Sequence, residues 1–158
     1  MNKLTPILIS GILLFGAACS DGAKTSVDAP NSTTENRNSP PPAETVQKTQ
    51  GDATSDVRKA QANSDIRARE QRNNLTGGDA IRADADLMSE VRSKLEVNIT
   101  KGQLIVEAKD GAVTVGGTVP NQTDLAQIEP LAKEIKGVKT VNVTAVVAPA
   151  APASPSKQ

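Results

Sequence analysis

Residues Asp110 to Val119 read DGAVTVGGTV, and this stretch decides the fold. Asp110-Gly111 is a two-residue hairpin signal, because a type I′ turn needs positive φ at both central positions. After the turn, Val113, Val115, Gly117 and Val119 share one face of a strand, and Ala112, Thr114, Gly116 and Thr118 share the other. Before it, Leu104, Val106 and Ala108 alternate with Ile105, Glu107 and Lys109, giving the partner strand. Working outward, a helical pattern lies on each side of the hairpin.

The N-terminal pattern runs from Asp84 to Asn98, with Leu87, Met88, Val91 and Leu95 on one stripe. Asp84 or Asp86 is expected to cap it, and both put negative charge at the positive end of the helix dipole. Asp79, Asp84 and Asp86 lack calcium-loop spacing, so capping is preferred to a metal site. Beyond the hairpin, Pro120 to Thr123 end the strand and Thr123 is the expected N-cap. Leu125, Ile128, Leu131 or Ala132, and Ile135 then make a second helical stripe. Pro130 inside that stripe predicts a kink or a late helix start, because it forfeits the bond to the Ala126 carbonyl. Gly137 is expected to end the helix. Lys139 to Val147 alternates Val141, Val143, Ala145 and Val147 against Thr140, Asn142, Thr144 and Val146, a third strand.

The order is therefore α-β-β-α-β, an α+β domain with a mixed three-stranded sheet and two helices on one face. The long crossover is expected to bring the third strand back parallel to the second. The second face of the sheet is expected to stay largely polar.

Residues 80–148 are thus the one segment able to build a core. A core of that size rarely supplies more than about 3–5 kcal/mol of net stability. The chain has no His, Trp or Tyr and a single Phe, Phe15 in the leader, so the core must be aliphatic. Between Asp84 and Val147 seven bases face nine acids, a net charge of −2 (7 − 9). A nucleic-acid reader shows a basic face and stacking aromatics, and neither is present. Without His, a Gly-x-Ser-x-Gly elbow or a phosphate loop, the usual nucleophile and base pairings are missing, and no cofactor motif is present. A non-enzymatic role is expected.

The N-terminus reads as an address. Lys3 precedes a mostly apolar run from Leu4 to Phe15 and the small residues Gly16-Ala17-Ala18, the anatomy of a signal peptide over 1–18. The run is too short for a membrane span, which needs about 20 apolar residues. Small residues before Cys19 resemble the lipobox of bacterial lipoproteins, which implies cleavage after Ala18 and acylation of Cys19. Gly16 departs from the aliphatic residue usual there, and ordinary signal peptidase, giving a soluble periplasmic protein, is the other reading. Ser20 after the cysteine favours the outer membrane.

Residues 19–79 are rich in Ser, Thr, Asn, Asp, Pro and Gln, and up to Thr54 hold only Val27 and Val46 as larger aliphatics. That composition predicts a disordered linker, because it cannot bury enough surface to offset its ordering entropy. Within it, 55–73 is rich in helix formers without an apolar stripe, and a solvated helix is expected there. Residues 149–158 are expected to be a disordered Ala/Pro tail.

Taken in order, these landmarks resemble the BON domain, a module of bacterial envelope proteins. The resemblance rests on the spaced aliphatics of the first helix, on Val113-x-Val115-x-Gly117-x-Val119, on Gly137-Val138 and on Val141-x-Val143. It implies a non-catalytic module that binds phospholipid or the membrane surface in envelope or osmotic-stress maintenance. The alternative is an adaptor that binds another envelope protein or the cell wall. Gly111, Gly117, Val119, Gly137 and Val138 would be structural landmarks, with Gly117 allowing a helix to approach. Lys133, Lys136 and Lys139 are the candidate lipid contacts.

Overall fold

The computed structural model describes residues 22–35, 41–76 and 83–148. The leader over 1–18, Cys19, Asp79 and the tail over 149–158 lie outside them.

Strand β1 spans Ala23–Lys24, and helices α1 and α2 span Ala43–Thr54 and Asp56–Thr76. Helix α3 (Asp84–Asn98), strands β2 (Gln103–Lys109) and β3 (Ala112–Val119), helix α4 (Gln122–Lys133), and strands β4 (Thr140–Val143) and β5 (Val146–Val147) follow. The hairpin forms as its sequence dictates. Asp110 and Gly111 have φ of 54° and 85°, and β2 pairs antiparallel with β3 from Lys109 opposite Ala112 to Gln103 opposite Thr118. The third strand returns parallel to β3, as expected, but in two pieces, β4 and β5. The backbone leaves the strand at Thr144-Ala145, where both N–H groups donate to the Val115 carbonyl.

Helices α3 and α4 cover one face of the sheet. Leu87, Val91, Leu95 and Ile99 meet Leu104, Val106, Val113, Val115 and Val119 in one cluster, closed by Ile128, Ala132 and Ile135. Because no side chain in the cluster is aromatic, it fills its volume by aliphatic interdigitation alone.

Several local expectations are corrected. The N-cap of α3 is Ala83, which has no side chain able to cap; Asp84 and Asp86 sit inside the first turn. Asn121, not Thr123, caps α4, its Oδ1 accepting from the Asp124 N–H at 2.8 Å. Helix α4 starts at Gln122 rather than late, and Pro130 lies within it. It ends at Lys133, one turn after the proline, and Gly137 at φ 91° belongs to the turn that follows.

The largest departure lies in the linker. Where composition predicts an open chain, β1 adds a strand to the free edge of β2, with Ala23 opposite Val106 and Lys24 opposite Ile105. Residues 25–35 then fold against the second face of the sheet. Thr25 N–H donates to the Leu104 carbonyl at 2.9 Å, and Leu104 N–H returns a 2.9 Å bond to Thr25 Oγ1. The physical reason is that a strand edge already built by the domain supplies backbone partners. Ordering this segment therefore needs little apolar burial of its own. That face is not left open as a polar surface either, for Ile105 is fully buried on it.

Candidate functional site

Three constellations stand out around the small core: the strap over the second face, the arm of α1 and α2 on α3, and the end of the domain that carries the hairpin turn.

The strap is held by hydroxyls and a carboxylate. Thr33 donates its N–H to Glu107 Oε1 at 3.0 Å and its hydroxyl to Glu107 Oε2 at 2.8 Å. Thr144 Oγ1 donates to the Thr33 carbonyl at 3.0 Å. Gly116 makes this approach feasible, since a Cβ there would stand 2.8 Å from Thr33 Cα. Gly22 does the same at the other end, where a Cβ would meet the Ile105 side chain at 2.7 Å. A cavity of about 360 Å³ lined by Thr33, Thr34, Glu35, Gly117 and Thr144 remains beside the strap.

The arm docks by charge rather than by an apolar stripe. Arg58 of α2 holds both oxygens of Glu96, whose side chain is 2 % exposed, and Arg92 adds a second contact to Glu96 at 2.5 Å. At the other end Arg69 and Arg72 share Asp86 Oδ1 at 2.5 and 3.0 Å. Arg92 also faces Asp65 at 3.8 Å. Between these pairs only small or polar groups of α2, Ala62 and Asn73, are buried. Partial burial works against the Asp86 carboxylate, but Arg69 and Arg72 outweigh it and hold its pKa below the ordinary value. Burial pushes the Arg92 guanidinium the other way, down from its usual value, with Glu96 opposing.

At the hairpin end, Lys139 lies over the turn. Its N–H donates to the Gly111 carbonyl at 2.8 Å, and Nζ donates to the Asp110 carbonyl at 3.0 Å. Lys109 is exposed on the adjoining strand. A cavity of about 570 Å³ opens between the start of α3 and this end of the hairpin, lined by Asp84, Ala85 and Met88 against Ala108, Lys109 and Ala112.

The residues singled out from sequence fall in different places. Gly111 forms the turn, and Val119 is fully buried opposite Val147. Val138 packs against the core, next to Gly137. Position 117 needs glycine on two counts: its φ is 110°, and a Cβ would stand 2.1 Å from the Gln103 carbonyl oxygen. What approaches it is thus the neighbouring strand, not a helix. Of the three lysines, Lys133 is engaged by Glu129 at 2.6 Å along α4, Lys136 is exposed beside Gly137, and only Lys139 reaches the hairpin turn. Thr25, Thr33, Glu107, Arg58 and Glu96 were not visible as a set in the sequence. The sequence of 55–73 predicts a solvated helix, and nothing in it points to α3 as a partner.

Among the described residues no group of three or more His, Cys, Asp or Glu could hold a metal ion. No helix there is long and apolar enough to cross a membrane. An α-β-β-α-β core with valines on one sheet face is the arrangement expected from the landmarks.

Residues 83–149 match the sequence model of the BON domain. BON domains are typically non-catalytic, envelope-associated and linked to membrane or phospholipid binding and osmotic stress. The match starts at the residue that precedes α3 and ends just after β5, so the strap and the arm lie outside the BON domain and are additions to it. No curated protein matches the chain.

Proposed function

We propose that this is a lipoprotein of the bacterial envelope, acylated on Cys19, whose BON domain contacts phospholipid at the membrane surface during envelope or osmotic stress. The match of residues 83–149 to the BON domain carries this reading. The leader that ends at Cys19 supports the anchor. In this reading the acyl chains supply residence on the bilayer, at about 0.8 kcal/mol per buried CH₂, and the domain supplies contact with headgroups. A domain charge of −2 gives no general attraction to anionic lipid, so contact has to come from a local surface. Vesicle flotation of a Cys19→Ser chain without its leader tests the lipid contact apart from the anchor. Co-flotation at low salt is expected, and a chain that stays with the soluble fraction contradicts direct lipid binding.

One observation favours a second reading, an adaptor for another envelope protein. Strands β4 and β5 form the outer edge of the sheet, and Val147 there is 37 % exposed. An extended peptide could add a strand at such an edge. Crosslinking in whole cells that recovers a protein partner in fixed ratio, mapped to residues 140–147, would favour it.

A further inference from the structure

Pairing of β1 with β2 fixes more than the strap. Ala23 lies opposite Val106 and Lys24 opposite Ile105, so the chain enters β1 from the side of Lys109 and the hairpin turn. Cys19 lies only three positions before Gly22 (22 − 19). A chain spans at most about 3.6 Å per residue, so this stretch reaches no further than about 11 Å. An anchor on Cys19 is therefore a short leash on one end of the domain. It is not the long spacer that the composition of 19–79 suggests.

We infer that the hairpin end of the BON domain is the surface that lies against the bilayer, with Lys109 and Lys139 meeting phospholipid phosphates. This rests on the acylation of Cys19 proposed above. The same end gathers the turn of Asp110 and Gly111, the start of β4, and the start of α3 with its cavity. Lys109 and Lys139 stand there beside Asp84 and Asp110. The other acid of the hairpin, Glu107, lines the same cavity and accepts from the neutral N–H and hydroxyl of Thr33. The leash, rather than the net charge of the domain, brings Lys109 and Lys139 to the headgroups. The opposite end, at Lys101 and Gly102 before β2, points to the periplasm. At about 3.3 Å per residue along β2, it stands on the order of 25 Å further from the bilayer.

Site-directed fluorescence on the acylated full-length mature protein in vesicles of phosphatidylethanolamine and phosphatidylglycerol tests this directly. Acylation blocks the sulfur of Cys19, so Ala112→Cys or Lys101→Cys supplies the single labelling site; both positions are exposed. With a nitroxide on the lipid headgroups, the Ala112→Cys label is expected to lose most of its emission and the Lys101→Cys label almost none. Equal quenching of the two, or stronger quenching at 101, overturns the orientation. Adding Lys109→Ala and Lys139→Ala to the Ala112→Cys chain is expected to reduce the quenching, and unchanged quenching removes the lysines from the contact. An intact mass showing an unmodified Cys19 overturns the anchor itself and the orientation with it. A modified Cys19 with an unquenched Ala112→Cys label overturns the orientation alone.

Discussion

Arg58 reaches from α2 to both carboxylate oxygens of Glu96 on α3, and Glu96 is 2 % exposed. One buried carboxylate thereby ties a helix outside the BON domain to the first helix inside it. Removing one partner of such a pair leaves the other buried with less compensation. Arg58→Ala is predicted to weaken docking of the arm by about 1.5–3 kcal/mol, the range for hydrogen bonds to charged groups. Hydrogen exchange should speed up across 56–76 while 103–119 stays protected.

The second anchor of the arm is sensitive to acid. Asp86 has its carboxyl pKa lowered in the fold, against burial, by Arg69 and Arg72. The stability it contributes is fully present above the unfolded value of about 3.9 and is lost as pH falls through the lower folded value. Arm docking should therefore be unchanged between neutral pH and about pH 5, and should weaken only below about pH 4. Hydrogen exchange of α2 across that range, compared with Asp86→Asn at neutral pH, measures it.

Two adjacent glycines should fail differently. A Cβ at Gly117 would stand 2.1 Å from the Gln103 oxygen at a φ of 110°, inside the β2–β3 pairing. Gly117→Ala is predicted to cost about 3 kcal/mol or more of global stability. A Cβ at Gly116 would meet Thr33 instead, so Gly116→Ala should release the strap and spare the domain. Denaturant melts read the first effect, and proteolysis within 25–35 reads the second.

The strap has its own release point at Glu107, which accepts from both the Thr33 N–H and hydroxyl. Thr33→Val removes the hydroxyl bond and is predicted to cost about 1–2 kcal/mol of strap docking. Faster exchange at Thr25 and Leu104, where the strap meets the β2 edge, would follow.

The domain was legible in the sequence for a physical reason. Asp110-Gly111 needs positive φ, and the valines alternate, so turn, register and buried face all follow from one short stretch. Helix α3 likewise announced itself through Leu87, Val91 and Leu95, which share a stripe facing the core. The strap was not legible because composition rules weigh apolar side chains, and residues 22–35 dock instead through backbone pairing, hydroxyls and two glycine contacts. The arm escaped for a related reason. Its buried positions are Val46, Ala53, Ala62 and Asn73, while α2 reaches α3 through Arg58, Arg69 and Arg72 finding acids about 14–38 residues away. Charges spaced along a helix read as a solvated face until their partners are placed. Lys139 shows the converse: its sequence neighbours suggested a group with Lys133 and Lys136, but the parallel return of β4 carries it to the hairpin turn.

The membrane role we propose rests on Cys19 more than on any other residue. Intact-mass measurement of the mature protein, taken from membranes of cells that make it with its own leader, tests that dependence most directly. A mature chain that begins at Cys19 with a diacylglyceryl group and an added acyl chain is predicted. The same chain with an unmodified Cys19 thiol, recovered from the soluble fraction, would contradict it.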